Sequence, residues 1–207
     1  MLRHAVAGIL LVAIAALAGP ARAAGADAGT VLAFKGDCFV ESGGQRNVLK
    51  QGDTVRVGDT LDIPEGAKLK LKMADGSVVS AAPGTRFTVA AFQAEAGGGH
   101  RDADLSLSSG LLRAVVAVAA QPSRFEVETA TGVAAVRSTD WFVEAGTGTM
   151  RVGVLEGAVT MKSRATEHEV RIPARWGSRL EAGKDPVPPR IWEQAEFDKV
   201  IAATALD

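Results

Sequence analysis

Strand signals begin at Val31 and hardly stop before the last twenty residues. Apolar and polar positions alternate with a period of two, which marks strands with one buried and one wet face. The cleanest case is Lys68 to Met73, where Leu69, Leu71 and Met73 alternate with three lysines. Asp75-Gly76 follows and predicts a hairpin through a type I′ turn, with Val78 and Val79 opening the return strand. The lysine row reads as a solvated face, guarding a sheet edge rather than gathering an anion.

The stretch Phe125 to Val143 carries the most information. Its first half alternates apolar and acidic residues, and its second half is apolar on both parities around the cluster Arg137-Ser138-Thr139-Asp140. A two-sided apolar run predicts a strand covered on both faces. If Val133 to Val143 is one regular strand, Arg137, Thr139 and Trp141 share one face and Ser138, Asp140 and Phe142 the other. Arg137 and Asp140 then pair only if a turn or bulge intervenes. Two roles suit this cluster. In the favoured one Arg137 is a structural clasp whose donors tie backbone carbonyls or a carboxylate. In the other, Arg137, Thr139, Asp140 and Trp141 form a recognition site, because Arg and Trp are favoured at interface hot spots.

Glycine punctuates the strands. Val31 to Val40, Leu105 to Leu112 and Val152 to Met161 each run strand, glycine, strand, through Gly36, Gly110 and Gly157. The spacings of 74 and 47 residues are too irregular for a strict repeat. The fold class is therefore all-β: a single β-solenoid or roll-like domain, or a sandwich, of many short strands. Ala94 to Asp104, with Gly97-Gly98-Gly99, is the most loop-like interior segment. After Pro186 to Pro189, Ile191 to Leu206 lacks Gly and Pro and predicts a short C-terminal helix docked on the domain.

Met1 to Ala23 joins a basic start, an apolar run from Ala5 to Ala18 and Ala21-Arg22-Ala23, the three parts of a cleaved export signal. The run falls short of the ~18 to 20 residues that span a bilayer. The expected organisation is a signal peptide at 1–23, a flexible leader at 24–30, a β domain at 31–185, and a Pro-rich linker with the helix at 186–207. Localisation is then periplasmic or secreted.

Charge and chemistry narrow the function. The chain has 23 Lys plus Arg against 24 Asp plus Glu, and loss of Arg3 and Arg22 with the signal takes the net charge from −1 to −3. No basic patch suggests a nucleic-acid partner. Cys38 is the single cysteine, so no intramolecular disulfide forms, and its place in an apolar alternation makes it a small buried hydrophobe. Beyond the signal only His100 and His168 remain, with no ligand spacing for a metal, no phosphate-binding loop and no nucleophile elbow. His100-Arg101-Asp102 matches three letters of a kinase catalytic loop without its companion motifs. No catalytic residue, metal or cofactor is expected.

Six pieces fall in a familiar order: Gly-Asp-x-Val-x-x-Gly-Asp at 52–59, Leu-x-Met-x-Asp-Gly-Ser at 71–77, Leu-x-x-Gly-Leu-Leu at 107–112, Phe-x-Val-x-Thr at 125–129, Val-Arg-x-Thr at 136–139 and Leu-Glu-Gly-x-Val at 155–159. Together they resemble the FecR domain, the periplasmic module of iron-siderophore transmembrane signalling regulators. The sequence departs from that pattern at Ser138, where the family has glycine, at Trp141, where it has phenylalanine, and at Ala130 in place of proline. The resemblance implies a β-rich domain that contacts another protein in the envelope, here as a stand-alone exported module. The expected partner is an envelope or outer-membrane protein. Peptidoglycan or another glycan is the alternative, and would need an exposed aromatic platform built from Trp141, Trp176 or Trp192.

Overall fold

Residues 25–95, 99–120 and 123–206 are described by the structure, a computed structural model. The signal expected at 1–23 lies outside them. In chain order the elements are β1 (Asp27–Lys35), β2 (Phe39–Ser42), β3 (Gln45–Val48), β4 (Thr54–Arg56), β5 (Thr60–Ile63), β6 (Lys68–Met73), β7 (Val78–Ala81), β8 (Thr85–Ala94), β9 (Arg101–Val115), β10 (Ser123–Glu128), β11 (Gly132–Val136), β12 (Asp140–Gly146), β13 (Thr149–Glu156), β14 (Ala158–Ser163), β15 (Glu169–Pro173), β16 (Trp176–Glu181), β17 (Arg190–Ile191) and α1 (Gln194–Thr204). The fold is all-β with one short C-terminal helix.

The pairings sort the strands into two layers. One runs β4-β1-β6-β7-β9-β12-β13-β16-β17. The other runs β3-β2-β5-β8-β9-β10-β11-β14-β15. Among these pairs only β9–β10 is parallel. Strand β9 belongs to both layers. Arg101 to Ser109 pairs in the second, and Gly110 to Val115 pairs in the first. The chain thus alternates between layers as single strands and hairpins, joining the stacking of a sandwich to the winding of a roll.

The three repeat glycines stand where the chain changes layer, and all have positive φ: 70° at Gly36, 89° at Gly110 and 88° at Gly157. At Gly110 a Cβ would lie 2.5 Å from the Cα of Thr85, so both backbone freedom and the missing side chain are required. The irregular spacing follows, since the elements between corners differ in number and length.

Between the layers lies one apolar cluster, fed by the inward residues of each strand: Leu69 and Leu71 on β6, Leu105 and Leu107 on β9, Phe125 and Val127 on β10, Trp141 and Val143 on β12. A second cluster sits on the outer face of the first layer. There Phe142 meets Trp192 and Phe197 with ring centroids 5.7 and 6.3 Å away, beneath α1. That helix covers the second parity of the apolar run in β12. Glu193 and Glu196 close the helix start as a capping box. Carbonyls in its last turn and just beyond it accept from the β6 lysines, Lys68 Nζ reaching Ala202 at 2.7 Å and Lys70 Nζ reaching Leu206, past the helix end, at 3.1 Å. Cations at the negative end of the helix dipole stabilise it.

Several expectations change. The leader is shorter than 24–30, because β1 starts at Asp27 and Ala28 is fully buried; its small residues let the backbone lie close to β4 and β6. The loop expected at 94–104 is a hairpin whose second strand starts at Arg101. In the Asp75-Gly76 turn only Gly76 has positive φ, and Gly76 N–H donates to Met73 while Met73 N–H donates to Ser77, so the turn is not type I′. The lysine row belongs to an internal strand and seats the helix end. The helix starts at Gln194 rather than Ile191, because Arg190 and Ile191 pair with β16.

Candidate partner-binding site

The cluster at 137–140 is a layer crossing. Strand β11 ends at Val136 in one layer and β12 begins at Asp140 in the other, so no continuous strand carries the parity expected from sequence. Trp141 has no exposed surface, and its indole nitrogen has no partner among the described residues. Thr139 is buried and donates from its hydroxyl to the Ala158 carbonyl at 3.2 Å. Asp140 accepts from Arg113 through Nε at 2.9 Å and Nη2 at 2.7 Å. That two-point bond holds the Arg113 guanidinium above its ordinary pKa, against the opposing effect of burial. Thr139, Asp140 and Trp141 therefore hold the corner together. Arg137 alone of the four is exposed.

The clasp is present but belongs to another arginine. Arg101 is fully buried. Its Nη1 donates to Asp75 Oδ2 at 2.9 Å and to the Ala117 carbonyl at 2.8 Å, and its Nη2 donates to the Arg137 carbonyl at 2.5 Å. Asp75 is in turn held by the Ser77 N–H and hydroxyl at 3.0 and 2.6 Å. One planar guanidinium thus ties the β6–β7 turn, the segment after β9 and the layer crossing, a task suited to its fork of donors. The sequence held a signal for it: Arg101 is in phase with the inward Ala103, Leu105 and Leu107. Arg137 supplies a carbonyl to the clasp and points its side chain elsewhere.

That side chain lines a surface recess of about 660 Å³, together with Arg124, Arg171, Ser123, Ser138 and Thr160. Ala135, Thr160 and Arg171 are cross-strand neighbours on β11, β14 and β15, so they stand side by side on the outer face of the second layer. Gly157 abuts the crossing so closely that a Cβ there would lie 2.9 Å from the Ser138 carbonyl. Arg124 is bound to Asp102 at 2.8 Å and Glu126 at 3.0 Å. No ion pair among the described residues uses Arg137 or Arg171.

The arrangement offers guanidinium and hydroxyl donors over an apolar floor, which suits recognition of an anion. Neither histidine lines it; exposed His168 faces Asp185 at 3.6 Å, and His100 is in the β8–β9 hairpin. Among the described residues no group of three His, Cys, Asp or Glu is placed to hold a metal. Cys38 is buried, donates to the Lys68 carbonyl at 3.4 Å, and burial pushes its thiol pKa up to about 11. No described helix is long and apolar enough to cross a membrane.

Residues 59–160 match the family described as FecR protein. That span runs from the start of β5 into β14 and includes the clasp and the layer crossing, with Arg171 beyond it. No match is found among curated proteins. Two crystal structures, at 1.65 and 2.50 Å resolution, show a similar fold in a protein of Parabacteroides distasonis ATCC 8503 provisionally described as an anti-sigma factor. Each aligns with a TM-score of 0.54 at 16% identity, covering 67% of this chain and 62% of that one. The chain therefore spans under two thirds of that neighbour's length, and at this identity the likeness is one of fold.

Proposed function

We propose that this chain, whose residues 59–160 match the family described as FecR protein, is a non-enzymatic recognition module of envelope signalling or scaffolding, which holds a protein partner at the Arg137–Ser138 corner. FecR-type proteins are signalling regulators, and a regulatory role fits a site that has donors but no nucleophile paired with a base. One observation carries the reading. Arg137 is exposed on a backbone that buried Arg101 pins from beneath, so a recognition side chain is presented from a rigid support. The family match and the export signal expected at 1–23 both support a periplasmic location. The glycan alternative lacks its platform: Trp141 and Trp192 are buried, and Trp176 is partly buried against the core.

Site-specific photo-crosslinking in intact cells tests this. A crosslinking residue at position 138 should yield an adduct with a discrete protein. The same residue at Thr147, in the exposed β12–β13 turn, should not. Adducts at Ser138 that contain only glycan, or no adduct there, overturn the reading.

A further inference from the structure

We propose that the recess beside Arg137 takes the side-chain carboxylates of an acidic peptide segment of the partner; this deepens the reading above and rests on it. Among the described residues Arg137 and Arg171 form no ion pair with a carboxylate, in a chain whose acids outnumber its bases. Most other described arginines are matched, as Arg86 is by Glu41, Arg113 by Asp140 and Arg151 by Glu144, while Arg175 and Arg179 also form no ion pair but lie outside the recess. A guanidinium binds carboxylates and phosphates through the same two parallel bonds, so charge alone does not separate these ligands.

The surroundings do separate them. Along the same outer face Asp104, Glu126 and Glu128 form an acidic row beside Arg124. Asp104 is held above the ordinary carboxylate range, first by burial and then by Glu128 and Glu126. A densely charged polyanion laid across the recess meets that row and is repelled. A peptide with spaced carboxylates can set them at Arg137 and Arg171 and lay small apolar residues on Ala135 and Ala158 between. Ser123 adds a donor: its hydroxyl oxygen is buried in the recess wall and has no partner among the described residues. A buried hydroxyl without a partner is costly, and a ligand carboxylate removes that cost.

The test is fluorescence anisotropy on the full-length protein with a labelled peptide alternating Glu and Ala, its Gln-for-Glu counterpart, and inorganic polyphosphate as competitor. The expected result is saturable binding of the Glu peptide, weaker by roughly tenfold or more for the Gln peptide and for the Arg137→Ala, Arg171→Ala double variant. The melting temperature of that variant should stay at the wild-type value, because both side chains are exposed. Equal binding of the two peptides, or undiminished binding by the double variant, overturns the proposal. Tight polyphosphate binding with no peptide binding overturns it in favour of a phosphate polymer. The outcomes separate from the crosslinking test: a protein adduct at position 138 without Glu selectivity sinks this inference alone, and Glu selectivity without an adduct sinks the partner reading.

Discussion

Arg101→Ala should be the most damaging single substitution at the corner, although Arg101 touches no surface. The ion pair it forms is deep, with side-chain exposures of 0% for Arg101 and 5% for Asp75. Its removal leaves Asp75 with only the two Ser77 donors and orphans the carbonyls of Ala117 and Arg137. Breaking one side of a buried pair costs about 3–5 kcal/mol, because the stranded charge stays out of water. In a domain of this size each kcal/mol lowers the melting temperature by about 2–4 °C, so a fall of roughly 6–20 °C is expected. Urea unfolding followed by circular dichroism should show a lower midpoint at unchanged slope. Arg137→Ala, run beside it, should stay within about 0.5 kcal/mol of wild type, as surface substitutions do. If Arg101→Ala costs less than about 1 kcal/mol, or if Arg137→Ala costs more than Arg101→Ala, the clasp is misplaced.

Three further outcomes follow from other parts of the fold. Phe197→Ala should cost about 3–5 kcal/mol and shift Trp192 fluorescence to the red, as the aromatic cluster with Phe142 opens to water. Asp104→Asn should stabilise the protein by about 0.2–1 kcal/mol, since Asp104 faces Glu126 directly across β9–β10. The raised Asp104 pKa means that its protonated form is favoured by folding, so its contribution declines as pH rises through that pKa, and this dependence should vanish in the variant. Cys38 should resist alkylation in the native protein at pH 8 and react fully in denaturant. Its folded pKa of about 11 against the ordinary 9.0 predicts stability that falls as pH climbs from about 9 towards 11.

Much of the fold was legible because burial imposes a period. Leu69, Leu71 and Met73 face inward as their alternation requires, and the glycines at 36, 110 and 157 mark the corners that their shared pattern suggested. What escaped was whatever depends on contacts distant in sequence. The β6 lysines bond carbonyls more than 130 residues away, so nothing local distinguished them from a solvated row. The apolar doubling around Phe142 comes from α1, which packs there from the far end of the chain. At the site, parity was applied across Val133 to Val143 as one strand, and the layer change at 137–139 broke that premise. The chemistry expected of Arg137 was sound, but Arg101 performs it, hidden in the sequence between a glycine-rich stretch and the polar neighbours His100 and Asp102.

The central claim is that the corner divides its labour between Arg101, which holds, and Arg137, which recognises. The most direct measurement is the affinity of wild type and Arg137→Glu for the protein crosslinked at position 138, with melting temperatures recorded on the same preparations. The account predicts binding weaker by about thirtyfold or more, the scale of an arginine hot spot, at an unchanged melting temperature. Equal affinity, or a loss of affinity that merely accompanies a lower melting temperature, would contradict it.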